Sequence, residues 1–197
     1  MWGDDGYVNP WLTPYIAEFL LDAKDAGFAV PDGVLQKALN RLSEDLLSGG
    51  NQFYGEDRRE NLKFANQAYS GYVLARVNRA PLGTLRALYD NERSKSLTGL
   101  SLVHLGIALS LQGDHKRGDA AIAAGFAKPS SERPQYSGDY GSAVRDDALM
   151  IALLHERKLS KPAYDARAVE LGRALDARRN NGWMWVSTQE QVAIARL

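Results

Sequence analysis

Three stretches concentrate the side chains best suited to chemistry: "MWGDDGYVNPW" at the start, "RPQYSGDYGS" from Arg133 and "NNGWMWVS" from Asn180. Together they supply glycines, aspartates and aromatic rings. Aromatic faces bind sugar rings, and paired carboxylates act as acid and base at a glycosidic bond. On that reading Asp4, Asp5, Asp57, Asp139 and Asp146 are the candidate carboxylates of a glycosidase or lyase. The same residue types also build turns, helix caps and aromatic plugs. No pair among the five has a spacing that singles out catalysis.

Other chemistries find less support. His104, His115 and His155 are scattered and fit no HExxH or comparable ligand spacing, so no metal site is expected. His104 sits in the most apolar segment and reads as a satisfied core histidine rather than a ligand. The chain lacks a glycine-rich phosphate loop and a G-x-S-x-G elbow, and no cofactor is implied. It has no cysteine, which excludes thiol nucleophiles, disulfides and cysteine-based zinc sites within these residues. Basic and acidic groups balance at 24 each, with no net charge, so a nucleic-acid surface is not expected. The arginines of "ARVNRAPLGTLRALYDNERSK" are interleaved with acids and read as a solvated outer face.

The elements that must position these side chains are helices. Apolar residues recur at helical spacing nearly throughout. Trp11, Tyr15, Ile16, Phe19, Leu20 and Ala23 predict one buried stripe, ended at Gly27. Pro31 and Asp32 open a second helix with Val34, Leu35, Ala38, Leu39, Leu42 and Leu46 facing inward. "LLSGGNQFYGED" is a loop, followed by a helix from about Arg58 to Arg79 and a short one from Leu82 to Tyr89. Residues Leu97 to Gln112 are apolar on nearly all sides, whereas His115 to Ala127 keep a charged beginning and a small-residue remainder. The alternation returns in "AVRDDALMIALL" and in "PAYDARAVELGRALDARR", whose stripe is Tyr164, Ala168, Leu171 and Leu175. A helix apolar all round must be covered on every side, while an amphipathic one can lie outside. Alternating buried and half-exposed helices predict an all-α fold, an α/α toroid of hairpins with inner and outer layers, with a helical solenoid as the competitor.

At 197 residues one domain, 1–197, is expected. The uncharged segment Ser96 to Gly113 is polar-interrupted and short for a membrane span, which needs roughly 20 apolar residues. "MWGDDGYVNP" has neither the basic start nor the apolar run of a signal peptide. The sharpest local signal closes the chain. Ser187 and Glu190 form a capping box that starts a helix, with Trp183, Met184, Trp185 and Val186 packing ahead of it.

"NPWLTPYIAEFLLDA", "ANQAYSGYVLARV", "GDYGSAVRDDALMIALL" and "WVSTQEQVAIA" resemble, in this order, the later helices of the thioester domain of α2-macroglobulins, the bacterial members above all. The likeness covers essentially the whole chain and rests on Trp11, Thr13, Tyr15, Asp139, Tyr140, Arg145, Asp146, Trp185, Ser187, Gln189 and Glu190. It implies an incomplete α/α toroid within a large, non-enzymatic protease trap whose partners are target proteases and the other domains of its own chain. It further implies a periplasmic location, an inner-membrane lipoprotein anchor elsewhere in the parent, no direct membrane contact from this segment, and pairing with a penicillin-binding protein. The resemblance places the reactive Cys-x-Glu-Gln motif upstream of Met1, so these residues would scaffold and shield the thioester without carrying it. In complement relatives a loop histidine attacks the thioester. The corresponding "SGGNQFYGED" has none, which implies direct attack by protease lysines, with Tyr54 the residue expected closest to the bond.

Overall fold

The computed structural model describes residues 11–48, 58–133, 139, 141–181 and 186–197. Among them the chain is helical, without strands: α1 (Leu12–Asp25), α2 (Asp32–Ser48), α3 (Arg59–Arg76), α4 (Leu82–Ala87), α5 (Gly99–Leu111), α6 (His115–Ala127), α7 (Ala143–Glu156), α8 (Asp165–Asn180) and α9 (Thr188–Ala195). A π-helical turn, Leu88–Glu92, runs on from α4.

The odd-numbered helices form the inner layer. α1 packs on α3, α3 on α5, α5 on α7 and α7 on α9, while α2, α6 and α8 each lie against an inner neighbour. All five inner helices wall one shared cavity. That ring, rather than an extended superhelix, is the toroid arrangement expected from the alternation of buried and amphipathic segments.

Burial follows position in the ring. From Leu100 to Ser110 every residue of α5 is buried, because α3, α6 and α7 cover it on different sides. α6 can approach it closely through four glycines. A methyl group placed on Gly106 would lie 2.7 Å from the Gly118 carbonyl oxygen, and one on Gly99 would lie 2.4 Å from that of Gly125. Only hydrogen at Cα lets these two backbones pack at this distance. Gly27 and Gly113 end α1 and α5 at positive φ, 86° and 87°, where a side chain is strained.

Three expected stripes are corrected. On α1 the buried face is Pro14, Ala17, Glu18 and Leu21, whereas Tyr15, Ile16 and Phe19 are 40%, 42% and 62% exposed. The face turned toward α2 and α3 is the one with small Ala17 and an ion-paired Glu18, so residue size misled the expectation. On α8, Ala168 is exposed and Arg167 is buried with Leu171. The Arg167 guanidinium crosses to the Asp147 carboxylate of α7 at 3.0 Å and donates to the Phe126 and Lys128 carbonyls at 2.7 and 2.8 Å. On α2, Val34 likewise faces solvent, while Leu35, Leu39, Leu42 and Leu46 are buried as expected.

Candidate functional site

The ring encloses a cavity of about 390 Å³. Four inner helices, α1, α5, α7 and α9, contribute residues from their first turns, including Leu12, Leu100, Arg145 and Gln189, and Trp11, Thr98 and Asp139 lie just ahead of α1, α5 and α7. Deeper residues include Glu18, Tyr69, His104, Leu153 and Arg196. Trp11, Tyr15, Asp139, Arg145 and Gln189, from three separate sequence motifs, therefore meet around one space.

A buried acid organises the deep end. Glu18 accepts a hydrogen bond from the Tyr69 hydroxyl of α3, and its other carboxylate oxygen lies 3.1 Å from the Arg196 guanidinium at the end of α9. Arg196 also holds Glu156 of α7, at 3.0 and 2.9 Å. Burial, then the Glu18 charge, push the Tyr69 phenol well above its ordinary range, so it remains a donor. His104 stacks nearly parallel on Tyr69, ring centroids 4.4 Å apart. Burial above all, then the positive fields of Arg145 and Arg196, bring its pKa down to about 3. The imidazole is neutral at physiological pH.

At the mouth, Asp139 and Asp146 are not free carboxylates. The Arg133 guanidinium donates to Asp139 and to Asp146, each at 2.7 Å, and Arg145 reaches Asp146 at 2.6 Å and the Asp139 backbone carbonyl at 2.8 Å. These four buried side chains neutralise one another and tie the segment before α7 to its first turn. Burial lowers the Arg133 pKa, but Asp146 and Asp139 more than reverse that. Two acids so engaged are poorly suited to the acid/base pair considered from sequence.

The capping box is present and does more than start α9. Ser187 accepts from the Glu190 amide at 3.2 Å, and Glu190 returns the bond to the Ser187 amide at 3.0 Å. Glu190 also accepts from the Ser142 hydroxyl, the N-cap of α7, and from Arg178 of α8 at 3.1 Å. Burial alone would raise its pKa; the bonds from Ser142, the Ser187 amide and Arg178 bring it below the ordinary glutamate range.

Thr13 lies in the first turn of α1, partly buried. Tyr54, Tyr140 and Trp185, with Asp4, Asp5 and Asp57, fall outside the described residues. His104 is buried as expected, yet it makes no hydrogen bond among the described residues and faces the cavity, so it is not the satisfied core histidine anticipated. Glu18, Tyr69 and Arg196 went unnoticed in the sequence. The available signal was an acid, Glu18, set within the apolar run 16–21 of α1, which demands a partner when buried.

A ring of inner helices backed by outer ones, around a cavity of mixed polar and apolar lining, defines a class of helical toroids. No family model matches the chain. Over all 197 residues it is 72% identical to the α2-macroglobulin of Xylella fastidiosa strain Temecula1, of which it spans 12%. In structure it is similar to native Escherichia coli α2-macroglobulin spanning domain MG7 to the C-terminus, with TM-score 0.86 and 36% identity over 99% of this chain and 30% of that one. It is also similar to Salmonella α2-macroglobulin reacted with methylamine, with TM-score 0.87 and 38% identity over 99% of this chain and 12% of that one. The chain is homologous, along its whole length, to one helical segment of the bacterial α2-macroglobulins.

Proposed function

We propose that these residues form the larger part of a thioester-bearing toroid in a bacterial protease inhibitor, holding and shielding a reactive bond supplied by other residues of a longer protein. The observation that carries this reading is the 72% identity over the entire chain to an α2-macroglobulin. The Salmonella relative's reaction with methylamine supports it, since a small amine is what an internal thioester would acylate. The ring supports it too: inner helices fixed by Glu18, Glu190 and the Arg133 cluster form a rigid frame, and the exposed Ile16 and Phe19 on α1 offer an apolar face on which further helices of a longer chain would pack.

On this reading the protein acts stoichiometrically, and its partners are attacking proteases and the remaining domains of the parent chain. The parent works in the periplasm, tethered to the inner membrane through a lipid anchor outside these residues and acting alongside a penicillin-binding protein. Among the described residues no helix is long and apolar enough to cross a membrane.

The test is chemical. The longer protein is treated with methylamine and its free thiols are titrated before and after. One thiol should appear per chain, and trypsin should then lose its covalent attachment to the methylamine-treated protein. A protein that releases no thiol contradicts the scaffold reading. Hydrolysis of a polysaccharide that disappears on Asp139→Asn substitution would favour the glycosidase alternative.

A further inference from the structure

The ring cavity has a wall of mixed character whose charges are already spent. Glu18 is matched by Arg196 and Tyr69, and Asp139 by Arg133 and Arg145. An anionic ligand would have to pull Arg196 or Arg145 from its carboxylate, and a cationic one would have to take Glu18 or Asp139 from its arginine, at a cost in each case. The uncharged polar groups stand differently. His104 is 5% exposed, lines the cavity, and is held by ring stacking on Tyr69 and Tyr72 with no hydrogen bond among the described residues. The Gln189 carboxamide, on the same cavity, has none either.

A buried polar group without a partner is costly, and folded proteins rarely leave one. Here the group opens on a space of about 390 Å³, within the size range of small-molecule sites. Leu100, Leu149 and Leu153 make much of the remaining wall. Ordered water needs two or more polar partners, about three on average; Thr98, Ser101 and Gln189 can supply them on part of the wall, but the stretch along Leu100, Leu149 and Leu153 offers water none.

We infer that the cavity binds an uncharged amphiphile, a molecule with a medium-length apolar body along Leu100, Leu149 and Leu153 and a hydroxyl or carbonyl group hydrogen-bonded to the His104 imidazole. The inference rests on the cavity alone and stands independently of the thioester reading.

The probes are n-octanol, octanoate and octylamine, titrated calorimetrically into the chain, with the His104 ring nitrogens followed by NMR. Octanol should bind saturably at one site and shift the His104 nitrogen resonances. Octanoate and octylamine should bind about tenfold more weakly, as expected when a charged head finds no free counter-charge. His104→Phe preserves the stacked ring and removes the polar partner; it should weaken octanol about tenfold while leaving the circular dichroism spectrum unchanged. Leu149→Trp fills the cavity and should abolish binding. Absence of saturable octanol binding, equal binding of all three probes, or undiminished octanol binding by His104→Phe would each overturn the assignment.

Discussion

His104 and Glu190 show how burial turns single side chains into switches or struts. The His104 pKa lies at about 3 in the fold against 6.5 for the free side chain. The unfolded chain therefore takes up a proton as pH falls below 6.5 while the native chain does not. Stability is at its full value above that pH and declines toward pH 3, the direction set by proton linkage. Between pH 7.5 and 5 the loss should be about 2 kcal/mol. Urea midpoints measured across this interval for the native chain and for His104→Phe check it, since the substituted chain should show a visibly flatter profile. Glu190 works in the opposite sense, as a carboxylate whose charge is used in three directions: the Ser142 hydroxyl, the Ser187 amide at its own helix start, and Arg178. Glu190→Ala removes the returning half of the capping box and leaves Arg178 without its carboxylate. It should cost about 2 kcal/mol in a denaturant titration. Glu190→Gln, which can still accept from Ser187, should recover part of the loss. Equal losses for the two variants would contradict this assignment.

At the scale of helices the closest contact is the glycine seam between α5 and α6. A methyl on Gly118 would meet the Gly106 carbonyl oxygen at 2.8 Å, and the contact is with backbone that cannot turn aside. Gly106→Ala or Gly118→Ala should destabilise by about 2 kcal/mol or more, even though alanine is the better helix former. Thermal unfolding of both variants against Gly172→Ala on α8, where the added methyl meets nothing within 4 Å, separates packing from propensity. Much of this layer was legible in advance. The all-round apolarity of α5 and the charged start of α6 placed one inside and one outside, and Ser187 with Glu190 marked the start of α9. What stayed hidden depends on neighbours distant in sequence. The α1 stripe failed because its buried side is defined by α2 and α3, and the α8 stripe failed at Ala168 because the buried Arg167 finds its carbonyl acceptors at Phe126 and Lys128, separations of 41 and 39. The cavity was equally illegible, since its walls come from five helices whose meeting only the ring closure reveals. Asp139 and Asp146 were named from the sequence as candidate carboxylates, but their place in a neutralised cluster with Arg133 and Arg145 was not legible there.

At the scale of the whole molecule, the contact spanning the longest stretch of chain among these hydrogen bonds is that of Arg196 with Glu18, separated by 178 residues. It fastens α9 to α1 while Glu156 of α7 braces the same guanidinium and Tyr69 of α3 braces the same carboxylate. Four of the five inner helices thus converge on one ion pair. Glu18 is buried, so removing its partner leaves a charge in a poorly solvated site, and breaking such a pair from one side costs about 3 kcal/mol. Arg196→Met should therefore weaken the native chain by about that amount, and a second change, Glu18→Gln, should restore part of it by removing the stranded charge. The location of the damage is more telling than its size. α5 and α6 are joined through their glycines and do not depend on the clasp, whereas α1 and α9 are the flanks of the ring and have fewer inner neighbours. Hydrogen exchange of Arg196→Met should accelerate in α1 and α9 and stay slow in α5 and α6, because local opening follows the distribution of contacts. A uniform rise across all helices would mean that the ring opens only as a unit and that the clasp has no local role. Exchange confined to α9 would mean that Tyr69 alone is enough to hold Glu18 in place.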